Sequence, residues 1–286
     1  MDLLLNFHAY SRPEGLVGRA PAATLISVME LNGRPADPES LKALALTNYG
    51  HFTSMRVDDQ QVRGLALHLE RLERDCRTVF GVRLDTGRVR EYVRRVVSGQ
   101  DGSFVVRVSV FDPALDMGHP SSPATPHILV TTRPAGPMPL PPLRVKTVSY
   151  VRDLPAVKHL GLFGALHARR AAQLSGFDDA LFSGPDGLVS EGGTWNVGFI
   201  DADGAVVWPK GEVLPGVTMA LLQQHHAHAT SPVSLDEARA MRAAFATNTS
   251  IGVRAISAID DTALPTEHPV LASLRDAYLS LPGDPA

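Results

Sequence analysis

Ten residues, Arg133-Pro134-Ala135-Gly136-Pro137-Met138-Pro139-Leu140-Pro141-Pro142, constrain the fold more than any other stretch of this chain. Their prolines remove backbone donors and hold φ near about −65°, so the segment can extend neither a helix nor the interior of a sheet. A chain of 286 residues interrupted there is expected to fold as two lobes, and with 44% hydrophobic residues it has apolar material for two cores. The expected division is an N-terminal extension over 1–27, an α+β domain over 28–132, a proline-rich linker over 133–142 and a second domain over 143–286. Leu3-Leu4-Leu5 is too short for the apolar core of a signal peptide. Met29 is an alternative start.

In the first lobe, Thr24 to Leu31 reads as a strand ending at the hairpin signal Asn32-Gly33, and Phe52 to Val57 reads as another. Leu65, Leu69, Leu72 and Cys76 recur at helical spacing through Leu65 to Val79, and Thr86 to Val97 reads as a second helix. Ser103 to Phe111 and His127 to Thr132, rich in valine and isoleucine, read as strands. The second lobe begins with a strand at Leu143 to Tyr150 and a helix at Phe163 to Leu174. Turn pairs Asp186-Gly187 and Asp203-Gly204 divide Ala180 to Trp208 into a meander. Helices at Val217 to Ala227 and Pro269 to Leu281, and strands at Ala243 to Thr249 and Gly252 to Ile259, complete the pattern.

A net charge of −3 gives no general attraction to nucleic acid or to an anionic membrane. No apolar run approaches the roughly 20 residues of a membrane span. The single cysteine, Cys76, forms no intrachain disulfide, which suits a reducing cytoplasm. His225, His226 and His228 diverge around a helix and read as a solvated face rather than a metal site. Asp178-Asp179 and Asp260-Asp261 read as turn or strand-end charges.

Lysine is scarce here. Lys42, Lys146, Lys158 and Lys210 are the only four, so 23 of the 27 basic residues are arginine. Three of them read as solvated. Lys158 follows Leu154-Pro155-Ala156-Val157 and precedes Leu160, Leu162 and Phe163, where lost hydration would lower its pKa toward that of a nucleophilic amine. The alternative is a stem lying on the surface with its head in water. Downstream, Glu191 heads Glu191-Gly192-Gly193-Thr194-Trp195-Asn196. An amine followed by a carboxylate supplies the two groups a pyridoxal phosphate enzyme needs, one for a Schiff base and one for the pyridine nitrogen. Leu214-Pro215-Gly216-Val217-Thr218 opens an apolar helix, and Thr247-Asn248-Thr249-Ser250 is a hydroxyl-rich turn; both are possible anion sites or plain caps and turns. His68 and Arg71 share a helix face.

The order of these pieces, from about Met29 to about Asp260, resembles the class IV aminotransferases, the fold-type IV pyridoxal phosphate enzymes related to branched-chain and D-amino acid aminotransferases and to aminodeoxychorismate lyase. Tyr49-Gly50-His51-Phe52-Thr53-Ser54-Met55-Arg56 matches a YG…FE or FT segment, and His68-Leu69-Glu70-Arg71-Leu72 matches an HxxRL piece. The resemblance implies a two-lobed fold with a small N-terminal α+β domain and a larger C-terminal domain with a β-rich core. It implies pyridoxal 5'-phosphate bonded to Lys158, with Glu191 on the ring nitrogen and Asn196 completing EGxxxN. Arg71, Gly216, Val217, Thr218 and Thr249 would hold the phosphate. The implied activity is transfer of an amino group between a small-molecule donor and a 2-oxo acid, and the implied assembly is a homodimer.

Substrate-facing positions depart from the pattern. Phe163 stands where a tyrosine is common, Met219 where an arginine follows LPGxT, and Arg254-Ala255 where proline-valine follows the later threonine. Lys158-His159-Leu160 and Phe52-Thr53 look more like the lyase branch, in which Thr53 would assist proton transfer during pyruvate release. Glu191-Gly192 and LPGVT look more like the transaminases. Arg107 is the leading candidate for a substrate-carboxylate ligand, with Arg56 behind it. A transaminase is favoured; a lyase and a non-catalytic relative are the alternatives.

Overall fold

Val106, Val108 and Val110 alternate through Ser103–Phe111 on one apolar face while Arg107 and Ser109 lie on the other, and a strand this deeply buried belongs in the middle of a sheet. The computed structural model describes residues 28–286 and places it there. The extension expected over 1–27, and the part of the expected strand before residue 28, lie outside the described residues.

The first half of the chain forms β1 (Met29–Leu31), β2 (Arg34–Pro35), α1 (Pro38–Thr47), β3 (His51–Asp58), β4 (Gln61–Val62), α2 (Leu65–Phe80), α3 (Thr86–Val97), β5 (Ser103–Phe111) and β6 (His127–Pro134). After the proline-rich segment come β7 (Leu143–Ser149), α4 (Phe163–Leu174), β8 (Asp179–Ser183), β9 (Val189–Gly192), β10 (Asn196–Ile200) and β11 (Val206–Pro209). The chain ends with α5 (Val217–His225), β12 (His228–Ser231), α6 (Leu235–Ala240), β13 (Ala243–Asn248), β14 (Gly252–Ile259), β15 (Thr262–Ala263), α7 (Pro269–Ser280) and β16 (Asp284–Pro285). The fold is α+β, with two sheets.

The first sheet is antiparallel throughout, in the order β16-β4-β3-β5-β6-β1-β2. Leu65, Leu72 and Cys76 of α2 and Val89, Val93, Val96 and Val97 of α3 pack onto Met55, Val57, Val106 and Val108 of the sheet. The last residues of the chain return to this sheet through β16, and Ala286 joins its core.

In the second sheet the order runs β12-β11-β10-β13-β14-β7-β8-β9, with β15 on β14. A further pairing of β9 with β10 closes the six strands β10-β13-β14-β7-β8-β9 into a ring. The pair that closes it is Glu191 opposite Asn196. Parallel pairing of β7 with both β14 and β8 sends the chain across the sheet between β7 and β8, and the loop and helix that make this crossing carry Lys158.

Beyond the expected pattern lie the two-residue strands β2, β4, β15 and β16, and also α1, α6 and β12. Helix α1 has the capping residue Asp37 and Pro38 in its first turn, yet buries no residue completely, so its apolar periodicity is weak. Helix α6 is six residues held by a Ser234–Glu237 capping box, and α5 stops at His225, short of the expected Ala227, with β12 beginning at His228.

Candidate active site

A cavity of about 610 Å³ opens between the two sheets. Strand alternation selects what faces it: Phe52 and Ser54 of β3 line the wall, whereas Thr53 between them points toward α2. Arg71 of α2, Arg107 of β5, Glu191 of β9, Asn196 of β10, Gly216 and Val217 at the start of α5, and Thr249 after β13 converge on the same space as Lys158.

Lys158 belongs to the loop before α4. Its carbonyl accepts from the Phe52 amide (2.8 Å), its amide donates to Asp75 Oδ2 (2.9 Å), and Leu160 N donates to Gly50 O (2.9 Å), so the loop is laced along β3. The Nζ lies 4.9 Å from the centre of the Phe52 ring. Burial first, then the positive charges of Arg71 and Arg152, push the amine down to about 7, with Glu191 opposing them.

Glu191 is buried. Its Oε1 accepts from Arg152 Nε (2.7 Å) and its Oε2 from the Leu214 amide (3.2 Å). Asn196 Nδ2 donates to Leu214 O (2.8 Å), so both members of the ring-closing pair hold the loop that leads into α5. Gly216 caps that helix, and a Cβ there would stand 2.0 Å from Asn196 Oδ1; a side chain is excluded by contact rather than by φ. No side chain caps the first turn of α5, which leaves its amides to an anion.

Arg71 is buried, and burial lowers it to about 10, with Asp75 opposing. Its Nη2 donates to Thr53 Oγ1, its Nη2 also lies 3.3 Å from His68 Nδ1, and its Nε has no hydrogen-bond partner. Thr53 Oγ1 and His68 Nδ1 share a hydrogen bond of 2.7 Å. A buried guanidinium with an unpartnered N–H, beside an uncapped helix start, fits a phosphate. An amine freed of much of its proton affinity and a buried carboxylate fit the other end of pyridoxal phosphate.

Four expectations change. Thr53 does not face the cavity, because β3 alternation turns it inward, where its hydroxyl meets Arg71 and His68. Arg56 is drawn away by Asp58 (2.9 Å) and Gly136 O (2.9 Å) and does not line the cavity. Phe163, 81% exposed, stacks on His167 at the surface, and Leu162 lines the wall instead. Thr218 is buried just behind the wall, at the first turn of α5. Thr249 lines the cavity while its hydroxyl donates to Ser54 O (2.9 Å). Arg107 remains in the wall, its guanidinium 3.7 Å over the Phe52 ring and its Nε donating to Ser109 Oγ (3.2 Å). Burial first, then Arg133, holds it below its ordinary value.

Sequence reasoning missed Arg152 and Arg169. Arg152 stands six residues before Lys158, a spacing with no helical or strand meaning, so only the folded loop reveals its contact. Arg169 joins Asp179 (2.9 Å) and Thr194 Oγ1 (2.8 Å), and Asp179 also accepts from Trp195 Nε1 (2.8 Å), so Asp179, the strand-end charge that opens β8, is also a structural hub.

The family model described as amino-transferase class IV matches residues 50–259. The chain is similar in structure to the branched-chain amino acid aminotransferase of Thermobaculum terrenum in its PLP-form, with a TM-score of 0.78, 19% identity, and coverage of 88% of this chain and 92% of that one. It is also similar to the branched-chain aminotransferase of Thermoproteus uzoniensis with norvaline (TM-score 0.76, 21% identity, 88% and 94% covered). The fold IV-transaminase of Curtobacterium pusillum gives a TM-score of 0.73 at 24% identity, with 83% and 88% covered. No curated protein matches by sequence.

Proposed function

The chain belongs to the class IV aminotransferases and is a pyridoxal-phosphate-dependent transaminase, and on that premise we propose that Lys158 and Glu191, which line the same cavity, are its working pair. The lyase and non-catalytic readings are not favoured. When bound, pyridoxal phosphate supplies an aldehyde that bonds an amine and a ring that accepts the electron pair left when the substrate Cα–H bond breaks. The single observation that carries the residue assignment is that the Lys158 amine, 4.9 Å from the centre of the Phe52 ring, and the buried Glu191 carboxylate line one cavity.

At neutral pH an amine lowered to about 7 is partly unprotonated, so Lys158 would hold the cofactor through its aldehyde and, once displaced by the substrate amine, would take a proton from the substrate Cα. Glu191, held by Arg152 and the Leu214 amide, presents an acceptor to a ring N–H. Arg71, the first-turn amides of α5 and the hydroxyl of Thr249 would receive the phosphate; Thr249 would do so by giving up its bond to Ser54 O. Arg107, cationic and without a carboxylate partner among the described residues, receives the substrate carboxylate, with the floor of the cavity fixed by Asn196.

We further infer a homodimer, supported by the exposed apolar side chains Val151, Leu154, Phe163 and Leu166 around the start of α4. A cytoplasmic location is supported by the single cysteine. No helix among the described residues is long and apolar enough to cross a membrane.

Protein reconstituted with pyridoxal phosphate, treated with an amino acid and then with a 2-oxo acid, should convert spectroscopically to the pyridoxamine form and back. Lys158→Ala should retain cofactor only weakly and fall by at least ~10²-fold in rate. Full turnover in Lys158→Ala would remove Lys158 from the reaction.

A further inference from the structure

Arg152 has no part in the cofactor and substrate contacts assigned above, yet it touches Glu191 and the turn that leads into Lys158. Its Nε donates to Glu191 Oε1 (2.7 Å), its Nη1 donates to Val157 O (3.2 Å), and its Nη2 donates to Pro155 O. The Arg152 side chain is 9% exposed and that of Glu191 7%. One rigid fork therefore joins β9 to the turn that delivers Lys158.

That turn is held from its other side by a second arginine. Arg74 of α2 donates to Ala156 O (2.9 Å) and to Asp75 Oδ1 (3.0 and 2.7 Å), while Asp75 Oδ2 accepts from the Lys158 amide (2.9 Å). Three successive carbonyls, at 155, 156 and 157, thus end on arginines. The turn begins at Leu154, whose φ of 44° lies in the left-handed region that a side chain disfavours. A backbone in that state persists only where its surroundings over-determine it.

We propose that Arg152 is a positioning residue that sets the separation and mutual orientation of Glu191 and Lys158, acting as a fork rather than as a charge alone. The proposal rests on the roles proposed for those two residues. A planar guanidinium can satisfy a carboxylate and two carbonyls at once, whereas a lysine offers one compact ammonium. Arg152 is also one of several charges around the Lys158 amine. Arg71 and His68 face it from α2, Arg107 from β5, Glu191 from β9, and His159 from its own loop.

Two variants separate the fork from the charge. Arg152→Lys keeps the charge and loses the fork; Arg152→Met loses both. In the apoprotein, amide hydrogen exchange at residues 156–158 should speed up by about tenfold or more in both variants. The pH at which the Lys158 amine reacts with an acylating reagent, read by mass spectrometry of its peptide, should rise in Arg152→Met and stay near the parent value in Arg152→Lys. Reconstituted with pyridoxal phosphate, both should lose kcat with the donor KM changed less than about threefold, since the substrate wall is untouched. Unchanged exchange at 156–158 in a folded Arg152→Lys protein overturns the proposal, as does full kcat in that variant. Failure of the underlying assignment reads differently: the parent protein would then hold cofactor without any bond to Lys158, whatever the exchange data show.

Discussion

An ammonium at Lys158 gives up water for an aromatic face and three guanidinium groups, and this has a thermodynamic signature in the apoprotein. The folded amine sits at about 7 against 10.5 for the free group, so between those values the unfolded chain holds a proton that the folded chain does not. Stability must therefore rise with pH across that window and level off below about pH 7, where both states are protonated. Urea midpoints measured at neutral and alkaline pH should show this rise, and Lys158→Met should flatten it; an equal slope in the variant would mean the amine is solvated. Glu191→Gln keeps the shape and removes the charge, so the expected result is a kcat lower by ~10²-fold or more with a small change in donor KM. As candidates, Lys158 and Glu191 were legible in the sequence because chemistry restricts them to few residue types. Thr53, Arg56 and Phe163 were misread because a side chain's direction depends on which face of β3 or α4 it leaves, and a motif does not state that.

At the level of elements, the candidate site sits where the ring of the second sheet closes. Glu191 and Asn196 pair across the seam between β9 and β10, and each also binds the Leu214 backbone ahead of α5. Gly216→Ala should force this arrangement apart, because the new Cβ would overlap Asn196 Oδ1. The expected loss is about 1–3 kcal/mol in urea unfolding, together with weaker retention of the cofactor phosphate. An unchanged midpoint with unchanged phosphate affinity would show that the Asn196 contact is dispensable. The strands and helices themselves were readable from alternation and helical spacing where each has a buried face, as in α2, α3 and β5. Helix α1 escaped because it buries nothing completely, leaving its cap and proline as the only signals.

Across the whole molecule, the cavity exists only while the two sheets hold their relative position. Thr249, after β13, donates to Ser54 O of β3 and so joins one sheet to the other at the cavity wall. Thr249→Val should cost about 1 kcal/mol and weaken phosphate binding more than it lowers stability, measured by cofactor titration beside denaturant unfolding. The proposed dimer has its own test: Phe163→Glu places a charge in the exposed apolar patch and should shift sedimentation toward the monomer, whereas an unchanged sedimentation coefficient would move the interface elsewhere. The sequence by itself determined the α+β character, the longer strands and helices and, through the order of its motifs, the cofactor chemistry, since these depend on local periodicity and on residue types that few reactions require. Tertiary structure alone decided that β9 returns to β10, that Arg152 reaches both Glu191 and the Lys158 turn, and which arginines keep a free face toward the cavity. Those outcomes depend on contacts between residues far apart in the chain, whose geometry is set by packing and not by spacing.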